Sequence, residues 1–226
     1  PITNGVYSNA NAPQFIHKLN NNLNTTIFST VFGHTEDSSY KQINISPTAL
    51  LVDVCGSVYA VGWGGRNNYS GSTFSMPITN DAFQDSTDGS DFYFITFNRD
   101  ASNIIYATYF GEYGGSGDHV DGGTSRFDKN GVVYQAVCAR CWGTNSFPTT
   151  DSAYSRNNNS DNCNMAGIKF KFDFLPLQII SIIPTKSCVL DSAIFSYTST
   201  QPATSFFWDF GDGQTSDIEF PKHKYS

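Results

Sequence analysis

The stretch from Ile104 to Val137, "IIYATYFGEYGGSGDHVDGGTSRFDKNGVVYQAV", sets two apolar segments of strand length on either side of a loop made of glycine and aspartate. "NIIYATYFG" reads as one strand. "SRFDKNGVVYQAV" reads as a hairpin whose turn, Asp128 to Gly131, contains the Asn-Gly pair that accepts positive φ.

Both pieces have counterparts upstream. "TIFSTVFG", ending at Gly33, matches "IIYATYFG", ending at Gly111, and "DVCGSVYAV" from Asp53 matches "DKNGVVYQA" from Asp128. A third landmark, "PITNGVYS" at Pro1, returns as "PITNDAFQ" at Pro77 and more loosely as "PTTDSAYS" at Pro148. The offsets are 78, 75, 76 and 71 residues. Landmarks in one order at nearly one spacing mark an internal repeat. "ALLVDVCGSVYAVGW" is then a second hairpin turning at Asp53 to Gly56, and "DFYFITFN" and "AGIKFKFDF" read as half-buried strands.

Composition agrees with short strands joined by turns. Charged residues make up 15% of the chain and aromatics another 15%, with 19 Gly, 19 Phe and 12 Tyr, and long runs of good helix formers are missing. The fold class expected is all-β, with about four short strands per repeat of about 75 residues, which is the pattern of β-propeller blades with long insertions after Trp63 and Tyr154. Two units and a partial one cannot close a ring of 4 to 8 blades, so either further blades lie upstream or the sheets stack in an open arrangement. The opening "PITNG" carries no secretory leader and reads as the interior of a longer chain. A net charge of -7 without a basic cluster argues against nucleic acid as a partner. The longest apolar run, "FLPLQIISIIP" at Phe174 to Pro184, is too short to span a bilayer.

"YATYFGEYGGSGDHVDGG", "DKNGVVYQAV" and "NSFPTTDSAYS" resemble a bacterial β-propeller repeat with the pattern Y-x-T-Y-x-G-G-x-x-x-D, D-x-x-G-x-x-Y, F-P-x-T. Together with "CARCWG" and "NNNSDNCN" they resemble the cysteine-bearing form found in very large surface proteins of Bacteroidota. The resemblance covers about residues 1–174. It implies export by type IX secretion, an extracellular cell-surface location and a link to gliding motility. Residues 175–226 hold "FFWDFGDGQTS" and "PKHKYS", which resemble the polycystic-kidney-disease (PKD) type of immunoglobulin-like domain, on Trp208, Asp209, Phe210, Gly211, Asp212, Gly213, His223 and Tyr225. That implies a β-sandwich, incomplete here because the chain ends at Ser226. Trp208 and Phe210 are expected to alternate inward, with Asp212-Gly213 as a hairpin turn. A kinase reading of "DFG" fails, since no Gly-rich loop, strand lysine or H-R-D loop precedes it.

Five cysteines, Cys55, Cys138, Cys141, Cys163 and Cys188, fit an oxidising compartment. The expected pairs are Cys141 with Cys163, stapling the insertion after Tyr154 to a hairpin end, and Cys55 with Cys138. A zinc site through Cys138-Ala-Arg-Cys141 is the weaker reading, because a second pair at matching spacing is missing. Calcium is the one cofactor left open, at Asp118 with Asp121 or at Asp85, Asp88 and Asp91, although neither loop has EF-hand spacing. His17, His34, His119 and His223 lie in unrelated contexts, and His119 beside Asp121 is the only acid/base pairing in view. Ser86, Ser152 and Ser192 each follow an aspartate in the D-S-[TA] pattern of Bacteroidota O-glycosylation.

No catalytic, cofactor-binding or metal residue is assigned from sequence. The expected function is a non-catalytic structural or adhesive module of a secreted surface protein, binding an extracellular polymer or protein beside its own neighbouring domains. The Trp63 and Trp142 loops are its contact points, unless both tryptophans pack between blades. The alternative is a secreted propeller hydrolase or lyase acting on polysaccharide, with the PKD-type domain as accessory.

Overall fold

A computed structural model describes residues 2–34, 43–53, 55–65, 71–114, 117–121, 125–128, 131–142, 145–172, 179–184, 192–199 and 206–225. The described chain is all-β. It divides into two compact units, Pro1–Phe172 and Asp173–Ser226. Among the described residues no helix is long and apolar enough to cross a membrane.

Among its described residues the first unit holds three antiparallel sheets. Strands β1 (Gln14–Leu19) and β2 (Thr26–Phe32) form a pair. β3 (Ser46–Val52), β4 (Val58–Trp63), β5 (Phe92–Phe97) and β6 (Ile104–Phe110) form a four-stranded meander in sequence order. β7 (Ser125–Phe127), β8 (Val132–Ala139) and β9 (Asn164–Lys171) form the third. Two apolar layers hold them together. Phe28, Phe32, Val58, Ala60, Tyr93, Ile95 and Phe97 pack between the first and second sheets. Val61, Phe92, Phe94, Val133, Val137 and Ile168 pack between the second and third.

This layering corrects the expectation that "DFYFITFN" is half-buried. Every residue of β5 is buried, because Phe92 and Phe94 enter one layer while Tyr93 and Ile95 enter the other. A strand covered on both faces has no polar face, so its sequence runs apolar instead of alternating.

The repeat is also a repeat of hydrogen bonds. Asp53 accepts from the Gly56 N–H through its carbonyl at 3.0 Å and from the Ser57 N–H through its carboxylate at 2.8 Å. Asp128 does the same with Gly131 at 3.2 Å and Val132 at 3.0 Å. Thr3 binds the backbone of Ser29 through both its N–H and its hydroxyl, as Thr79 binds Ala107. Each Pro-Ile-Thr landmark therefore lies along the outer edge of a strand and occupies part of an otherwise open edge. The sheets do not coincide with the sequence units: β3 and β4 precede the landmark at Pro77 while β5 and β6 follow it, so the four-stranded sheet joins hairpins from successive units.

In the second unit β10 (Ile179–Pro184), β11 (Ala193–Ser199) and β14 (Lys222–His223) form one sheet, and β12 (Trp208–Asp209) pairs with β13 (Thr215–Ser216). The turn expected in "DFGDG" is present: the Phe210 N–H donates to the Gln214 carbonyl at 3.2 Å, and Gly211 and Gly213 have φ of 82° and 87°. Trp208 and Phe210 are half-buried against Phe195, while Phe207 and Asp209 between and beside them are exposed.

Candidate functional site

Trp63, Asp118, His119 and Cys138, all singled out from sequence, gather at one end of the second and third sheets. Trp63, Phe92 and Phe110 are cross-strand neighbours at the end of β4, β5 and β6. The chain leaving β6 passes Glu112 and Asp118 to reach His119, which forms an isolated antiparallel bridge with Cys138 of β8.

Asp118 ties the two sheets at this end. Its buried carboxylate accepts the Glu112 N–H at 2.9 Å and the Arg140 N–H at 3.1 Å, joining the exit of β6 to the exit of β8. Asp88 accepts from Ser90 at 2.9 Å and Gly114 at 2.6 Å. Asp91 and Glu112 are 0% and 2% exposed, and none of their four carboxylate oxygens has a well-aligned hydrogen-bond partner. Burial is the main cause that raises the Asp91 carboxyl to about 7, with the charges of Asp88 and Asp118 adding to it and contacts to Thr87 and the Asp88 backbone opposing. Glu112 rises to about 8, through burial first and then Asp118, against the pull of Arg140. Asp118 rises to about 6, because burial outweighs its two backbone donors. Gly111 sits within this group: a Cβ there would collide with Asp91 Oδ1 and lie 3.0 Å from Asp118 Oδ2.

The corresponding place 78 residues earlier is built from neutral amides. Asn44 Oδ1 accepts the His34 N–H at 2.9 Å, and Gln14 Oε1 accepts the Asn44 N–H at 2.9 Å. The later junction is thus the acidic version of a joint that the chain also makes without charge. Burial first, and then the neighbouring charges, favours the protonated forms of Asp91 and Glu112.

The two acidic loops considered for calcium are redistributed by the fold. Asp88, Asp91 and Asp118 come together with Glu112, a loop residue outside both acidic clusters. Asp85 stays exposed, and Asp121 points into a different group. Among the described residues, the one set of three or more metal-ligating side chains whose ligand atoms lie within 4.8 Å of one another is His119, Asp121 and Cys138. The Cys138 thiol donates to Asp121 Oδ2 at 3.3 Å, and His119 Nε2 is 3.6 Å from the same oxygen. Burial, followed by Asp121, pushes the Cys138 thiol up.

Cys141 and Cys163 form the expected disulfide. Cys55 and Cys138 do not pair; both are free. Cys55 lies in the β3–β4 turn, whereas Cys138 bridges His119, whose ring packs on Trp63 at the far end of β4. The length of β4 separates them by roughly 17 Å, beyond the ~7 Å between Cα atoms that a disulfide tolerates. Cys188 lies outside the described residues. The zinc reading through Cys138-x-x-Cys141 is also overturned, because Cys141 is spent in the disulfide.

The two tryptophans separate. Trp63 is half-buried, its ring 5.7 Å from that of His119, while Trp142 is 67% exposed. Tyr113 is likewise exposed, and its N–H donates to Ser146 Oγ at 3.0 Å, which sets it beside the loop after β8. His17 makes a surface contact to Thr26 Oγ1 at 2.9 Å, and His34 binds Asn44 through its backbone. His223 belongs to the second unit. Ser86, Ser152 and Ser192 are all exposed. No protein-family model, curated protein or solved structure matches this chain.

Proposed function

We propose that the chain is a non-catalytic structural and adhesive module of a large, secreted bacterial cell-surface protein. In this reading the stacked sheets of the first unit are blades of a β-propeller, completed by sheets outside these 226 residues, and the second unit is a PKD-type domain. The observation that carries the reading is the interlocked repeat, in which equivalent turns and edge contacts recur while the four-stranded sheet joins hairpins from two successive units. Such an arrangement resists being pulled apart at unit boundaries, as a load-carrying spacer requires.

The rim formed by Tyr113 and Trp142 is the surface offered to an extracellular polymer or protein, because exposed aromatics anchor interfaces. The strongly perturbed carboxyls, which would draw attention as acid/base catalysts, are sealed at 0% and 2% exposure. They are out of reach of a polysaccharide and act in the joint between sheets. Export by type IX secretion, attachment to gliding and sugars at Ser86, Ser152 or Ser192 belong to the same proposal.

Binding of the purified chain to panels of polysaccharides and matrix proteins tests it. Retention that falls at least tenfold in Trp142→Ala and Tyr113→Ala, without release of reducing ends or peptides, is the expected result. Turnover of any panel member overturns it in favour of the hydrolase or lyase.

A further inference from the structure

We propose that His119 Nε2, Asp121 Oδ2 and Cys138 Sγ bind a divalent transition-metal ion of the zinc class, with a fourth coordination position open to solvent.

The donor set is one nitrogen, one oxygen and one sulfur, the combination that zinc accepts and that calcium or magnesium does not. Metal–ligand lengths of about 2.0 Å for nitrogen and oxygen and about 2.3 Å for sulfur give tetrahedral edges of about 3.3–3.6 Å. The observed separations are 3.3 Å from Cys138 Sγ to Asp121 Oδ2 and 3.6 Å from Asp121 Oδ2 to His119 Nε2. Two edges of the tetrahedron are therefore already in place.

The backbone fixes this arrangement. His119 and Cys138 exchange both N–H···O bonds, at 3.0 and 2.9 Å, which sets them directly opposite one another. Asp121 lies two residues beyond His119, and alternate residues of an extended segment share a face. The histidine is also oriented from behind: Nδ1 is 3.4 Å from the Gly117 carbonyl, and the ring packs on Trp63 at 5.7 Å. An N–H at Nδ1 directed to a backbone carbonyl leaves the Nε2 lone pair toward Asp121, the usual outer support of a metal-bound imidazole. Cys141 Sγ is 4.0 Å from Nδ1 but is held in its disulfide and does not compete as a thiolate. On binding, the Cys138 S–H proton leaves to solvent as the sulfur–metal bond forms, so each ion bound releases one proton. The proposal is independent of the adhesive reading.

The test uses cobalt(II) as the probe ion, in the 226-residue chain carrying Cys55→Ser and Cys188→Ser so that Cys138 is the only thiol. One equivalent of cobalt should produce a near-ultraviolet sulfur-to-cobalt band, and one equivalent of zinc should displace it. Cys138→Ser should abolish the band. His119→Gln and Asp121→Asn should each weaken binding at least about tenfold, since even outer-shell partners are worth that much. A cooperative urea transition with an unchanged slope shows that each variant is folded, and peptide mapping confirms that the Cys141–Cys163 disulfide is retained. Absence of the band in folded protein whose Cys138 thiol is intact overturns the proposal, leaving a hydrogen-bonded trio. A band that survives Cys138→Ser overturns it as well.

Discussion

Leu23 and Ala101 hold the same left-handed backbone, φ 57° and 56°, at the same point of the same turn 78 residues apart. Asn20 and Asn98 organise these turns identically, each accepting an N–H five residues on, from Thr25 at 3.2 Å and from Asn103 at 3.0 Å. A side chain in that conformation costs about 1–2 kcal/mol. Leu23 is 74% exposed, so Leu23→Gly should lose little packing and raise stability by about 0.5–1 kcal/mol after glycine's own entropy cost. Ala101 is buried in the first layer, and Ala101→Gly gives up a methyl worth about 0.8 kcal/mol. That substitution should be close to neutral. Urea midpoints of the two variants check the contrast.

The buried carboxyls give the first unit an unusual pH dependence. Asp91 binds its proton up to about pH 7 when folded, against an ordinary value of 3.8, so the folded state holds the extra proton between those limits. The associated stability is fully present below about pH 4 and is lost as pH rises through 7. Between pH 5 and 8.5 Asp91 alone should cost the unit on the order of 2–3 kcal/mol, and Glu112 adds a further loss that continues to about pH 8. Asp91→Asn should flatten the curve, since a neutral amide stands in for the protonated acid. Denaturant melts at the two pH values decide it; equal slopes for both proteins would mean that Asp91 stays ionised and compensated.

Much of this fold was legible because its signals are local. Asp128-x-x-Gly131 and Asp53-x-x-Gly56 each specify a turn within four residues, and the spacing between them exposed the repeat. The Cys141–Cys163 pair is expected because it staples the insertion after Tyr154, which holds Cys163, to the hairpin end beside Cys141. What stayed hidden depends on contacts between sheets. Glu112 looks like a loop residue until Asp118 folds back over it. Cys138 could not be matched to His119 without the bridge that sets them opposite, 19 positions apart in the chain. Cys55 and Cys138 are matched by elimination among the cysteines, and only the length of β4 between them rules the pair out. The one trace of the trio in the sequence is His119-x-Asp121, a spacing that places two polar groups on one face of an extended segment.

The disulfide closes a loop of 22 residues, so removing it frees the unfolded chain by about 3 kcal/mol of closure entropy. The paired variant Cys141→Ser with Cys163→Ser is the suitable probe, because a single change would leave a new thiol near His119. It should lower the stability of the first unit by about that amount and open the segment after Tyr154 to limited proteolysis. Comparing protease cleavage with the denaturant midpoint separates a local opening from a global loss.

In the second unit His223 lies flat on Phe210, ring centroids 4.0 Å apart and planes 2° apart, with Tyr225 edge-on at 4.4 Å. Its Nε2 is 2.8 Å from Asp212 Oδ2, in the turn that Phe210 opens. The Gln214 N–H and then His223 hold the Asp212 carboxyl below its ordinary 3.8. A lowered carboxyl contributes stability above its unfolded value and loses it as pH falls through the folded one, so this contribution disappears only below about pH 4. Two substitutions separate stacking from charge. His223→Ala removes both the ring and the bond, and should cost on the order of 2–3 kcal/mol for a side chain only 6% exposed. His223→Phe keeps a ring on Phe210 and removes only the bond to Asp212. If stacking dominates, as the near-parallel rings indicate, His223→Phe should lose less than half as much, and its acid sensitivity below pH 4 should shrink. Amide hydrogen exchange along β11 and β14 reads the result, because Ala193 and Ile194 pair there with His223 and Lys222. Equal losses in the two variants would instead assign the joint to the Asp212–His223 bond.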